Sequence, residues 1–388
     1  MTLLPKKLLL ASLPLLAAVM PVYATESGHT DNEAIRSVVY EPGDYGSRFY
    51  RIPAIVTLGD GTLVSVADKR INNISDLPND IDVVCRRSTD GGRSWGEYIT
   101  VARHDSIGGY GDPALVCDRN SGDLIVISTH GQGLWRQTPG EICVSRSSDG
   151  GLTWTPPVSI NDQILTCRPD GPQPIKCNSA FASSGRAVQL SDGRIMFVLV
   201  TRREGVKQFS CYAVYSDDGG HTWHVSATPT TTDGDESKVA QLADGTLITS
   251  IRDRRRTCRL FARSTDNGVT WSDPRPIVTL PDPACNGDFI RYTHGGHDLL
   301  LHSLPTGGSR HNVTIFVSRD NGDTWLPARQ VVRGASAYSS MTVLPDGSVG
   351  ILTEEAANPD DPAAKDGYRI CYTAIPASEI VIAGRAAR

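Results

Sequence analysis

The chain has 388 residues, with 38 Lys and Arg against 43 Asp and Glu for a formal net charge of −5. Such a balance, with no repeated basic stripes, draws no nucleic acid to the surface as a whole, and any acidic ligand needs a local cluster of cations. With 37 Gly and 24 Pro and few long helical patterns, the composition favours many short strands joined by turns.

The first element, Met1 to Ala24, has Lys6 and Lys7, an apolar run from Leu8 to Val19 and a small-residue site at Val22-Tyr23-Ala24. This is the pattern of a secretory signal peptide whose apolar core is too short to span a bilayer comfortably. The expected product starts near Thr25, is exported to a periplasm or secreted, and keeps no integral membrane segment. The following 364 residues suit one domain, a propeller of six four-stranded blades, acting as a monomer. Runs at Ile52 to Val66, Asp123 to Thr129, Arg194 to Val200 and Thr246 to Ile251 carry the strand signal.

Five stretches share one template: Ser88-Thr-Asp-Gly-Gly-Arg-Ser-Trp95, Ser147-Ser-Asp-Gly-Gly-Leu-Thr-Trp154, Ser216-Asp-Asp-Gly-Gly-His-Thr-Trp223, Ser264-Thr-Asp-Asn-Gly-Val-Thr-Trp271 and Ser318-Arg-Asp-Asn-Gly-Asp-Thr-Trp325. Their first residues lie 59, 69, 48 and 54 positions apart, a period that indicates a propeller or solenoid. In each, Asp can accept from turn amides, Gly supplies a left-handed conformation, and the Ser or Thr hydroxyls close a hairpin loop. Five of the six Trp residues sit in these boxes, where an indole can pack on a neighbouring sheet and its N–H find an acceptor. The boxes predict an all-β, six-bladed Asp-box propeller in which these Asp residues shape turns.

Nine Cys residues cannot all pair within one chain. Cys85, Cys143, Cys211 and Cys258 lie a few residues before box serines and read as small core hydrophobes, whereas Cys167 and Cys177 bracket a Pro- and Gly-rich loop and are the disulfide candidates. His294-Gly-Gly-His297 has no matching Cys or carboxylate partners along the chain, and no metal pattern is present.

Chemistry begins at Phe49-Tyr-Arg51-Ile-Pro-Ala-Ile55, where a charged Arg enters an apolar strand and Pro follows, a residue that strands tolerate at edges and first positions. Together with the five boxes, this Arg-Ile-Pro motif resembles the bacterial-type sialidases (neuraminidases), over essentially the whole mature chain. The resemblance implies three arginines that hold a substrate carboxylate: Arg51, Arg252 and Arg310, the last in Ser309-Arg-His-Asn312. Arg suits the task because its planar fork binds a carboxylate bidentately and keeps its charge. Glu236 and Arg252 are sixteen residues apart, an even spacing that lets both face one side if a hairpin joins their strands.

The resemblance also implies an acid/base Asp on a loop ten residues before Arg86-Arg87, which gives Asp76, with Asp80 as the alternative in the same loop and Asp82 inside the next strand. Arg70 matches an Arg that contacts ring substituents, and Asp112, in Gly-Tyr-Gly-Asp-Pro, the carboxylate facing the amide or hydroxyl side of the sugar. Tyr338 matches the nucleophile, Glu236 its base, and Glu354 the acid that orients the first Arg, with Glu355 as the alternative. A tyrosine nucleophile makes sense for a sugar with a carboxylate on its anomeric carbon, because a neutral phenol is not repelled as a carboxylate would be. The implied activity is retaining hydrolysis of terminal α-linked sialic acid on glycans without a cofactor. Transfer of sialic acid, intermolecular or intramolecular, on the same site is one alternative, and a non-catalytic propeller that binds glycans or proteins is another.

Overall fold

The computed structural model describes residues 35–131, 140–165, 179–202, 206–255, 257–306, 308–358 and 366–383. The expected leader and the Cys167/Cys177 pair lie outside them. Six sheets, antiparallel except for a short parallel pairing of Gly185–Arg186 with Tyr110–Cys117, follow one another as the blades of a β-propeller. The first comprises Phe49–Thr57, Leu63–Arg70, Ile81–Ser88 and Ile99–Ala102. The second begins with Tyr110–Cys117, the third with Ser179–Ala182, the fourth with Ser237–Gln241, the fifth with Asp288–His294 and the sixth with Ser336–Val343. These first strands contact their neighbours from blade to blade, so their starts converge at one end of the ring.

Four strand runs expected from sequence are present, with one difference. The run from Ile52 to Val66 is two strands, broken where Gly61 donates to the Leu58 carbonyl and Thr62 donates to the Asp60 carboxylate. The sixth blade takes its fourth strand from the other end of the chain: Arg36–Tyr40 pairs antiparallel with Tyr368–Ile375. That closure explains why six blades carry five boxes. Each box joins the third strand of a blade to its fourth, as Ser88 to Trp95 does between Ile81–Ser88 and Ile99–Ala102, and the sixth blade has no such connection.

The boxes fold as turn devices. At Asp149 one carboxylate oxygen accepts from the Ser147 hydroxyl at 2.7 Å and the Thr153 amide at 2.9 Å, and the other from the Thr153 hydroxyl at 2.5 Å. The same hydroxyls and amides hold the box carboxylates down, Asp90 at about 2, so each remains an ionised acceptor. Box glycines come too close to the preceding blade for a side chain: Gly92 has φ +89, and a Cβ there would meet the Tyr372 ring at 2.0 Å.

Each box Trp wedges between its own blade and the one before. Trp223 packs with Ile125 and Ile142 of blade two, Trp271 with Met196 and Val198 of blade three, and Trp325 with Ile248 and Phe261 of blade four. The indole N–H groups of Trp95, Trp271 and Trp325 find acceptors, whereas those of Trp154 and Trp223 are buried without one among the described residues. Cys85, Cys143, Cys211 and Cys258 are buried free thiols, as expected of core residues.

Candidate active site

Three of the converging first strands begin with a β-bulge. The register shifts between Arg51 and Ala54, between Gly111 and Ala114, and between Ser336 and Ser339. A bulge bends a strand and re-aims its side chains. Here the three bulges carry Arg51, Asp112 and Tyr338, and they account for Pro53 and Pro113 inside strands rather than at their edges. Ile52 and Asp112 take φ of +61° and +56°, an unfavourable conformation for a β-branched residue in the first case. Glu354 offsets that strain, since its Oε1 accepts from the Ile52 amide and from Arg51 Nε, both at 2.7 Å. Its Oε2 accepts from the Tyr338 amide at 3.0 Å, so one buried carboxylate fixes both the arginine and the tyrosine backbone. Glu355 instead pairs with Arg36, which decides between the two candidates.

A cavity of about 180 Å³ opens over these bulges. Seven of the nine residues expected from sequence line it: Arg51, Asp76, Asp112, Glu236, Arg252, Arg310 and Tyr338. The hairpin of Ser237–Gln241 and Leu247–Ile251 brings Glu236 and Arg252 side by side, with the Arg252 amide donating to the Glu236 carbonyl at 3.1 Å. The Tyr338 hydroxyl donates to Glu236 Oε2 at 2.7 Å, and Arg252 Nη1 donates to the same oxygen at 2.5 Å and to the tyrosine oxygen at 3.1 Å. The Arg51 and Arg310 guanidinium carbons lie 5.2 and 5.3 Å from the Tyr338 ring centroid, so three cations surround one phenol.

Burial, and then the Glu236 charge, push the Tyr338 phenol well above its ordinary pKa, and the hydroxyl keeps its proton at rest. Burial works against ionised Glu236, but Arg252, Lys238 and the bonds from Tyr338 and Ser184 outweigh it and hold the carboxyl below the usual range. The pair is therefore a neutral donor against an ionised acceptor. Arg51 is raised in spite of burial because Glu354 faces it. Asp112 lies in the opposite situation: burial and the neighbouring Asp68 charge raise its carboxyl well above the ordinary value.

Asp76 reaches the rim from the loop between Leu63–Arg70 and Ile81–Ser88, with its side chain 68% exposed and Oδ1 2.8 Å from Arg70 Nη2. Desolvation pushes its carboxyl up, and Arg70, Arg51 and Arg310 together bring it below the usual value. Asp80 points elsewhere, accepting from Asn72, and Asp82 bonds to His104. Arg70 differs from expectation. It is 1% exposed and does not line the cavity, its fork bonding Asp68, the Ile74 carbonyl and Asp76, so it meets the cavity through Asp76.

The Asp76 loop rests on blade two. A Cβ on Gly109 would meet the Asn79 carbonyl at 2.3 Å and the Ile81 nitrogen at 2.7 Å, so glycine is what lets the two backbones touch. Nearby, His130 bridges Asp105 at 3.2 Å and Glu141 at 3.0 Å, with Cys143 close by. Pairing of His130 with Glu141 across a hairpin made that cluster invisible to a scan along the chain. Other residues missed in the sequence are Asp68, Asp235, Phe181 and Phe209. The last three line the cavity, and Asp68 accepts from the Asp112 amide at 3.0 Å. The Asp68 signal was its place two residues before Arg70 on one strand, where alternate side chains share a face.

The profile of the BNR repeat-like domain family matches residues 76–351. The chain belongs to this family. Within it, the chain is similar to a sialidase of Bacteroides fragilis, 31% identical over 349 residues, covering 82% of this chain and 62% of the relative. A sialidase of Micromonospora viridifaciens is 33% identical over 337 residues, covering 80% of this chain and 50% of that one. The chain thus spans between half and two thirds of the length of these relatives. Among solved structures, a Hadza microbial sialidase superposes with a TM-score of 0.79 at 28% identity, covering 89% of this chain and 69% of that one. The bulged strands, the box turns and the arginine cluster thus sit on a BNR-repeat propeller that is similar to microbial sialidases.

Proposed function

We propose that the protein is an exo-α-sialidase that removes terminal α-linked sialic acid from glycans with retention, using Tyr338 as nucleophile. The observation that carries this reading is the 2.7 Å hydrogen bond from the Tyr338 hydroxyl to ionised Glu236 amid Arg51, Arg252 and Arg310. The three arginines receive the substrate carboxylate, which sets the anomeric carbon over the tyrosine oxygen. As the bond from anomeric carbon to glycosidic oxygen breaks, Asp76 gives its proton to the departing oxygen. The tyrosine oxygen bonds to the anomeric carbon, and its proton passes to Glu236. In the second half, water attacks that carbon and gives a proton to Asp76, while Glu236 returns its proton to the released Tyr338.

The resting electrostatics fit this order. Asp76 is ionised while Arg70, Arg51 and Arg310 act on it, and a bound substrate carboxylate neutralises part of that charge and favours the protonated acid. The test is incubation with α2,3- and α2,6-sialyllactose followed by NMR. Free sialic acid appearing first as the α-anomer is expected. Absence of release would leave a binding propeller, and transfer to added lactose in place of water would make the protein a transferase.

A further inference from the structure

Glu236 is gripped from behind as well as from the cavity. Its Oε2 serves Tyr338 and Arg252, and its Oε1 accepts from the Ser184 hydroxyl at 2.9 Å. Having given its only proton to Glu236, that hydroxyl accepts from Asn286 Nδ2 at 3.1 Å, and the same nitrogen also donates to the Ser184 carbonyl at 3.0 Å. Asn286 Oδ1 accepts from Lys238 Nζ at 3.0 Å, and Lys238 donates again to the Ser184 carbonyl. Because an ammonium has donors and no acceptor, the amide oxygen of Asn286 must face Lys238. Its NH₂ must then face Ser184, and the serine proton is left with one destination, Glu236.

All four side chains are buried, and they come from three successive blades. Space is made for the chain of bonds: Gly185 has φ +99, and a Cβ there would stand 3.1 Å from Lys238 Cε. Ser183 anchors the same turn by accepting from the Ser237 amide at 2.7 Å. None of Ser184, Asn286 or Lys238 lines the cavity.

We propose that Ser184, Asn286 and Lys238 are positioning residues that lock Glu236 with one oxygen behind and one towards Tyr338, so that Arg252 cannot take both oxygens. This rests on the reading of Tyr338 and Glu236 given above. An unrestrained Glu236 would form the preferred two-bonded pair with Arg252, which withdraws the base from the tyrosine. Instead Arg252 Nε is buried 3.9 Å from Asp235, without a hydrogen-bond partner among the described residues, and remains available. In the reaction the Tyr338 O–H bond breaks and its proton moves to Oε2, while the protons of Ser184, Asn286 and Lys238 stay where they are. Burial brings Lys238 down to about 8 against the pull of Glu236 and Asp288, with Arg259 and Arg186 opposing its charge. Below that pH the ammonium backs Glu236.

The test compares Ser184→Ala, Ser184→Thr and Lys238→Met with the wild-type enzyme, using a fluorinated sialyl fluoride that labels the nucleophile. The readouts are the labelling rate at saturation and the affinity for an unsaturated sialic acid analogue. Ser184→Ala and Lys238→Met should slow labelling by about 10- to 100-fold, the scale of a lost hydrogen bond to a charged group, with analogue affinity held within about threefold. Ser184→Thr, which keeps the hydroxyl, should recover most of the rate. Wild-type labelling of Tyr338 is the control, and without it the reading of the site fails. If wild type is labelled at Tyr338 and Ser184→Ala, folded by circular dichroism, is labelled as fast, the positioning role is wrong and the site reading stands. Equal losses in Ser184→Ala and Ser184→Thr would also overturn it.

Discussion

At the scale of single residues, the site is a set of charges whose ionisation is decided by neighbours. Asp76 is the clearest test of role because the need for an acid depends on the leaving group. Asp76→Ala should cost about 10²- to 10⁴-fold in kcat on sialyllactose, whose departing alkoxide needs a proton, and far less on a nitrophenyl sialoside, whose phenolate does not. Equal losses on both substrates would remove Asp76 from the acid role. Its identity was legible by counting back from Arg86, and the structure agrees in placing Asp76, rather than Asp80, at the cavity. Glu354 was chosen over Glu355 by resemblance, and the residues alone did not separate the two. Neighbours on one strand face opposite ways, and which way is inward depends on the bulge that carries Tyr338 on the paired strand. Ser184, Asn286 and Lys238 were invisible for a different reason, since their partnership exists only once three blades stand side by side.

At the scale of elements, the box turn is a repeated local structure whose strength is separable from catalysis. In the fourth box, Asp266 accepts from the Ser264 hydroxyl at 2.7 Å and the Thr270 amide at 2.9 Å. Asp266→Ala should lower stability by about 1 kcal/mol, measured by urea denaturation, with kcat per folded molecule unchanged. A box variant of full stability and lost turnover would contradict the turn assignment. The boxes were readable because every bond within them is local, joining residues no more than four apart. The inward bulges left a fainter trace, Pro two residues after Arg51 and one after Asp112. Read alone, Pro suggested a strand edge, and the register shift that accommodates it appears only when the partner strand is aligned.

At the scale of the whole molecule, the ring is closed by Arg36–Tyr40 lying against Tyr368–Ile375. Val39 and Tyr40 pack with Tyr50, Ile55 and Leu63 of the first blade, so this strand ties the two ends of the chain into one core. A chain beginning at Glu41 should unfold at a clearly lower temperature in a thermal scan, and an unchanged midpoint would show that the closure contributes little. Six blades were legible from the period of the boxes and the chain length, but the closure was not. The closing strand has five residues and no box, and nothing in its sequence names its partner more than three hundred residues away. The convergence of Glu236, Arg252, Arg310 and Tyr338 from three blades has the same origin in ring geometry.

Whether Tyr338 or a carboxylate attacks the anomeric carbon is the central claim, and covalent trapping addresses it directly. The wild-type protein is inactivated with a fluorinated sialyl fluoride, digested, and its modified peptide mapped by mass spectrometry. The expected adduct sits on Tyr338, and Tyr338→Phe, which keeps the ring that packs beside Arg51 and Arg310, should bind the reagent and gain no label there. A label on Asp76 or Glu236 with Tyr338 unmodified would contradict the tyrosine mechanism.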